Sequence, residues 1–225
     1  MRLFILRKNL LRKRFFYLSW YNILSNVTVP LAGLVDTAIL GHLPNLTYLG
    51  GVALGSVVFD YLYWPMNFLR MGTTGLTAQA RGKKQETEEW AILYRVLTLA
   101  IFLGILIILF SEKILEIVFP LLPGEKTVKE AAAAYFLARI LGAPAVLANF
   151  AFNGWFLGRE SVKVILALTF IGNLMNIGLD YLFIMKWHFN AAGAGYATMI
   201  SQYSMSLMSV MVILFHAKAR PIDLK

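Results

Sequence analysis

Long apolar stretches separated by short polar connections dominate the 225 residues of the chain. A helix needs about 20 mostly apolar residues to cross the hydrocarbon core of a membrane. Gly, Pro and charged residues mark the connections between the stretches as turns. Six stretches meet the length requirement, at residues 16–41, 48–80, 91–111, 130–158, 161–186 and 192–216. The pattern predicts an all-α, polytopic membrane protein that folds as a six-helix transmembrane bundle.

The composition favours a membrane protein over a soluble domain. Apolar residues make up 59% of the chain and charged residues 15%, whereas soluble domains average roughly 25% charged residues. The mean hydropathy is +0.66. The first apolar stretch is too long for the core of a cleaved signal peptide, so we interpret it as a first membrane helix.

The net charge of +9 indicates how the chain is oriented in the membrane. If the N-terminus is cytoplasmic, fourteen of the 21 Lys and Arg residues fall in cytoplasmic segments, including a basic N-terminal segment (1–15) and a basic tail (217–225). The positive-inside rule then predicts that both termini are cytoplasmic. We expect the protein to lie in the plasma (inner) membrane. Because the basic residues lie in flanks and loops rather than on one recognition helix, we expect no nucleic-acid partner.

Sequence motifs for enzyme chemistry are absent. The chain has no Cys, and its three His are scattered at positions 42, 188 and 216, so a thiolate site or metal centre is not expected. No Walker A loop, G-x-S-x-G elbow or H-E-x-x-H motif occurs. The sequence therefore predicts a protein that is not an enzyme and has no cofactor.

Carboxylates and amides inside the apolar stretches are the candidate functional residues. An ionisable side chain near the centre of a membrane costs at least about 2.5–3.5 kcal/mol, which makes it a functional hypothesis by default. Asp36 lies in the first stretch and Asp180 in the fifth. Asn173, Asn176 and Asp180 are spaced i, i+3, i+7, which places them on one helical face. For Asn173 alone, a hydrogen bond between helices is an equally good explanation.

The rise of about 1.5 Å per residue gives the depth of these residues. Asp36 and Asp180 both fall in the outer half of the membrane. Thr198 and Tyr135 also lie in the outer half, on helices that run from the outside to the inside. Their oxygen atoms suit a hard cation such as Na⁺, or a site for a proton. Asp60, in the second stretch, is either a structural partner or a further site residue.

Several segments resemble the multidrug and toxic compound extrusion (MATE) family, and most closely its DinF branch. The segments are SNVTVPLAGLVDTAILGHL (25–43), YLGGVALG (48–55), LRMGTTGLTAQARG (69–82) and GNLMNIGLDYLFIM (172–185). The resemblance implies a secondary transporter of twelve helices in two lobes, of which this chain corresponds to the amino-terminal lobe. Residues 217–225 would then be either a tail or the start of the linker between lobes.

The resemblance also implies which residues form the site. By motif position the cation or proton site comprises Asp36, Asn176, Asp180, Thr198 and Tyr135, with Na⁺ held at Asp36 and Asp180 if Na⁺ is the ion. Asn153, in NGWFLG, matches a family segment in which Arg usually stands at the position of Leu157. We assign Asn153, Asn173 and Asp60 to substrate contacts or to support of the ion site.

The sequence thus predicts one lobe of an antiporter that exports amphipathic, cationic small molecules in exchange for H⁺ or Na⁺. Pro30 would bend the first helix as the carboxylate of Asp36 changes its protonation. The expected partners are these molecules, membrane lipid, and a second six-helix lobe or partner chain. Two alternatives remain open at this point: a flippase for lipid-linked precursors, and a non-transporting lobe that acts as an assembly partner.

Overall fold

Helices form nearly all of the apolar stretches that the structure describes. The computed structural model describes residue 16, residues 19–21, 23–24, 27, 33–35, 37–43 and 45–219. Described residues at 33–35 and 37–41 are helical, whereas Pro30, Asp36 and the terminal segments 1–15 and 220–225 lie outside the described residues. The helices that follow are α1 (Thr47–Tyr63), α2 (Phe68–Gly82), α3 (Glu86–Leu109), α4 (Ser111–Val118), α5 (Lys126–Ile140), α6 (Ala143–Gly158), α7 (Val162–Asp180) and α8 (Asn190–Ala219).

Several of these helices are long and apolar enough to span a membrane. In the described part of the chain, three segments are long and apolar enough on their own: α3, α7 with the turn that follows it (Val162–Lys186), and Asn190–Phe215 of α8. A fourth span results if α5 and α6, which meet at 57°, are taken together. Only 28% of the apolar window of α3 is buried inside the protein, so most of its apolar surface faces outward, as lipid contact requires. The prediction of an all-helical membrane protein is confirmed.

Proline divides two of the predicted spans. A 3₁₀ turn at Pro65–Asn67 separates α1 from α2, so the second predicted span consists of two helices. Pro144 lies in the first turn of α6, directly after the bend that follows Ile140. Proline lacks an N–H donor and fits only the first turn of a helix, which explains why a new helix begins at both positions.

Two connections contain more helix than the sequence pattern predicts. Glu86, Glu88 and Glu89 form the first turn of α3. Acidic side chains are favourable there because the N-terminus of a helix carries a partial positive charge. The connection after α3 contains α4 and a 3₁₀ turn at Phe119–Leu121.

Glycine allows the helices to approach one another closely. A Cβ atom added to Gly51 of α1 would lie 2.5 Å from the Cβ atom of Ala131 in α5. On α6, a Cβ at Gly154 would lie 2.5 Å from the carbonyl oxygen of Arg70, and one at Gly158 would lie 2.7 Å from the Cβ of Thr77, both on α2. Such glycine contacts are typical of membrane helices, where close packing replaces the hydrophobic drive for association.

Candidate functional site

Two adjacent cavities lie among the helices of the bundle. The first, which we call the Tyr135 cavity, has a volume of about 380 Å³. Its described lining comes from the helical residues before α1 and from α1, α5, α7 and α8: Gly33, Thr37, Leu40, Leu49, Val52, Ala53, Ser56, Asp60, Tyr135, Arg139, Asn173, Asn176, Thr198 and Gln202. It therefore combines a carboxylate, a guanidinium, amides and hydroxyls.

The second cavity, which we call the Arg70 cavity, has a volume of about 260 Å³. Its walls come from α2, α6, α7 and α8: Arg70, Val146, Asn149, Phe150, Asn153, Leu157, Ile165, Thr169, Gly172, Asn173, Asn176, Thr198, Ser201, Gln202 and Met205. Apolar and polar side chains are mixed around it, which suits an amphipathic ligand.

Four residues line both cavities and form the boundary between them: Asn173, Asn176, Thr198 and Gln202. Asn176 is 8% exposed, and its amide nitrogen has no hydrogen-bond partner among the described residues. The hydroxyl of Thr198 donates to the carbonyl oxygen of Ala194 at 2.9 Å, which leaves the hydroxyl oxygen able to accept a bond or coordinate an ion. A ligand in either cavity therefore touches side chains that the other cavity also uses.

Tyr135 connects α1 and α5 at the first cavity. It is 4% exposed. Its hydroxyl lies 3.1 Å from the hydroxyl of Ser56 and accepts a hydrogen bond from the Arg139 guanidinium. That guanidinium also lies over the ring of Phe59, with its carbon 4.4 Å from the ring centroid. The cation–π contact and the hydrogen bond hold Arg139 in place at the cavity wall.

Asp180 ends α7 at the start of a π-helical turn. Its side chain is 1% exposed, and the turn runs over Tyr181–Lys186. Single π turns within helices occur frequently at functional sites. Asp180 follows Asn176 by one helical turn on the same face, although it is not among the residues that line the two cavities. Its predicted partner Asp36 lies outside the described residues.

The remaining predicted residues divide between the two cavities. Asn173, Asn176 and Thr198 line both cavities, Tyr135 and Asp60 line the first alone, and Asn153 lines the second alone. Within the described ranges, no group of three or more His, Cys, Asp or Glu is arranged to hold a metal ion.

Sequence reasoning missed a polar contact between α6 and α8. The Asn149 amide nitrogen donates to the side-chain oxygen of Gln202 at 2.8 Å and to its backbone oxygen at 3.0 Å. The hydroxyl of Ser206 donates to the amide oxygen of Asn149 at 2.8 Å. The sequence signal for this contact is the presence of two amide side chains, Asn149 and Gln202, within apolar stretches, because buried amides in membrane bundles pair across helices.

A second missed feature is a buried carboxylate where α2, α3 and α6 meet. Glu89 is 3% exposed, and its carboxylate lies 3.5 Å from the Arg159 guanidinium and 3.9 Å from that of Arg81. The backbone oxygen of Glu89 accepts a hydrogen bond from the indole of Trp155 at 3.0 Å. In the sequence Glu89 is one of several charges in a polar connection, so nothing distinguished it from a solvated residue.

Comparison with known proteins identifies the class to which this architecture belongs. A family model described as MatE matches residues 22–182. A solved structure described as MATE in the straight conformation superposes with a TM-score of 0.82 and 25% identity, over 95% of this chain and 47% of that one. An outward-facing multidrug resistance MATE family transporter of the MOP superfamily superposes with a TM-score of 0.81, over 89% of this chain and 44% of that one.

The chain belongs to the MATE family, whose members are multi-pass membrane transporters and not enzymes. It is 40% identical, over 94% of its length, to DNA damage-inducible protein F of Escherichia coli (strain K12). It is 25% identical, over 92% of its length, to a probable multidrug resistance protein NorM of Acinetobacter baylyi. The chain spans about half the length of these curated relatives, covering 46% of each. The predicted family, fold class and lack of enzyme chemistry are thereby confirmed.

Proposed function

We propose that the chain forms the amino-terminal lobe of a cation-coupled multidrug efflux antiporter in the plasma membrane, with both termini in the cytoplasm. H⁺ or Na⁺ binds at Asp36, Asn176, Asp180, Thr198 and Tyr135. Amphipathic molecules, among them cationic ones, bind in the cavities with help from Asn153, Asn173 and Asp60. A second six-helix lobe completes the passage.

The observation that carries this proposal is the boundary shared by the two cavities. Asn176 and Thr198, which belong to the proposed ion site, also line the cavity on the far side of that boundary. An ion that draws in these side chains changes the shape and polarity of the substrate cavity. A ligand shifts a conformational equilibrium only when it binds one state better than the other, and shared side chains provide that difference.

The expected cycle follows from this competition. With the ion site empty, the carboxylates of Asp36 and Asp180 are charged and the lobe accepts its substrate. Protonation or Na⁺ binding neutralises the pair from the outer side and disfavours the substrate-bound arrangement. The substrate then leaves outward, and inward release of the ion resets the lobe.

An export assay in cells tests the proposal. The complete protein is expressed in cells that lack their own multidrug exporters, and efflux of ethidium is followed by fluorescence. We expect Asp180→Asn to reduce efflux at least about tenfold, since the amide can neither release a proton nor carry the charge that Na⁺ requires. Glu116→Gln is the matched control, because Glu116 is 64% exposed and pairs with Lys113 away from both cavities. Normal ion-driven efflux by a well-expressed Asp180→Asn variant would contradict the proposal.

A further inference from the structure

An open groove lies on the surface where α4 and the 3₁₀ turn that follows it meet the start of α5. It has a volume of about 520 Å³ and shares no described residue with the Tyr135 cavity or the Arg70 cavity. Leu115, Phe119, Pro120 and Ala133 provide its apolar lining. Contact between this lining and water is unfavourable, so the groove favours an occupant with an apolar part.

The length of α3 places the groove at the level of the lipid headgroups. α3 has 24 residues, and at about 1.5 Å per residue it is about 36 Å long, slightly more than the hydrocarbon core of about 30 Å. Phe110 alone separates the end of α3 from the start of α4. The groove therefore lies near one edge of the hydrocarbon core, which is the outer edge in the orientation proposed above.

Exposed apolar side chains flank the groove along the chain. Leu109 and Phe110 lie at the end of α3, Ile117 lies on α4 and Leu121 lies in the 3₁₀ turn. All four are exposed, and Leu121 is 81% exposed. Clusters of exposed apolar side chains mark sites of contact with membranes or other partners. At the edge of a membrane-spanning helix, the acyl chains of lipids are the partner that lies closest.

The groove carries charges of both signs. Lys126, Lys129, Glu116 and Glu130 line it. The Glu116 carboxylate already has a partner outside the groove, because the ammonium of Lys113 lies 3.1 Å away. The Glu130 carboxylate has a looser pair with Lys126, at 3.9 Å. Two ammonium groups and one carboxylate therefore remain for a ligand that carries both charges.

The ammonium of Lys129 is held at the groove by the 3₁₀ turn. It donates a hydrogen bond to the carbonyl oxygen of Pro120 at 3.1 Å. An ammonium group has three donors, so two remain. The first backbone N–H groups of α5, which begins at Lys126, also lack acceptors within the helix. These donors together suit the phosphate of a lipid headgroup.

We propose that the groove binds a phospholipid whose headgroup joins a phosphate to a primary ammonium, as in phosphatidylethanolamine. The phosphate accepts hydrogen bonds from Lys126 and Lys129, and the ammonium of the headgroup donates to Glu130. An acyl chain lies against Leu115 and Phe119. A choline headgroup has no N–H donor for Glu130, and a glycerol headgroup has no positive charge for it. The inference goes beyond the proposed function, since this face of the protein takes no part in the ion and substrate cavities.

Native mass spectrometry of the complete protein in detergent tests the inference, because each bound lipid adds its own mass. The protein is titrated with phosphatidylethanolamine, phosphatidylcholine and phosphatidylglycerol that all carry two oleoyl chains. For the first lipid bound, we expect phosphatidylethanolamine to bind about three- to fivefold more tightly than either other lipid, as for one exposed charge pair. Glu130→Gln should remove the preference over phosphatidylcholine. Lys126→Gln combined with Lys129→Gln should weaken the binding of all three lipids.

The matched control is Glu116→Gln, which should keep the preference. Glu116 is 64% exposed and Glu130 is 65% exposed, and both line the groove, but Glu116 pairs with Lys113. If the unmodified protein binds phosphatidylcholine or phosphatidylglycerol as tightly as phosphatidylethanolamine, the inference is overturned, and that result does not depend on whether a variant folds. Retention of the preference in Glu130→Gln, or its loss in Glu116→Gln, would overturn it too.

Discussion

Replacement of Glu89 by Gln provides the sharpest test of how the bundle is held together. The carboxylate is 4% exposed and faces Arg159, which is 22% exposed, and Arg81, which is 46% exposed. Removing one partner from a buried ion pair typically costs about 3–5 kcal/mol. Because Arg81 is half in solvent and its attraction is partly screened, we expect a smaller loss of about 2–3 kcal/mol.

Thermal unfolding of the purified protein in lipid nanodiscs measures this loss. For a unit of this size, we expect the unfolding midpoint of Glu89→Gln to fall by roughly 5–10 °C. Glu88→Gln is the matched control: the same substitution at the neighbouring residue removes an exposed pair with Arg95, 3.1 Å long, which contributes at most about 1 kcal/mol. Equal shifts for the two variants, or no shift for Glu89→Gln, would refute the assignment of Glu89 as the carboxylate that joins α2, α3 and α6.

Two further substitutions, each with its own control variant, test the packing and the cavity. Gly154→Ala places a Cβ atom 2.5 Å from the Arg70 carbonyl oxygen and should destabilise the protein by about 1–3 kcal/mol in the same unfolding assay. Gly75→Ala, whose Cβ would meet nothing within 4 Å, should be neutral or stabilising. Tyr135→Phe removes the hydroxyl between Ser56 and Arg139. It should lower the free energy of unfolding by about 1–2 kcal/mol and abolish most ethidium efflux. Tyr61→Phe, at a residue that is 78% exposed, should leave both unchanged.

The helical content and several polar residues of the cavities could be predicted from the sequence. Apolar length predicts α3, α7 and α8 as spans because a membrane requires about 20 apolar residues of each. The i, i+3 spacing of Asn173 and Asn176 predicts that they share one helical face, and both residues line the same two cavities. The assignment of an ion to these residues remains a proposal.

Features that depend on how helices approach one another could not be predicted. The hydropathy of the apolar stretch 48–80 does not predict the 3₁₀ turn at Pro65–Asn67, because hydropathy does not depend on the pattern of backbone hydrogen bonds. Glu89 is buried only because α6 brings Arg159 and Trp155 against the start of α3.

Linkage between ion and substrate binding tests the central claim most directly. The affinity of the complete protein in nanodiscs for ethidium, whose positive charge does not change with pH, is measured across pH and Na⁺ concentration. If ion and substrate compete for one lobe, adding the coupling ion should weaken ethidium binding about 5- to 150-fold, and Asp180→Asn should abolish the effect. An ethidium affinity that is independent of both ions, or an unchanged dependence in Asp180→Asn, would contradict the account.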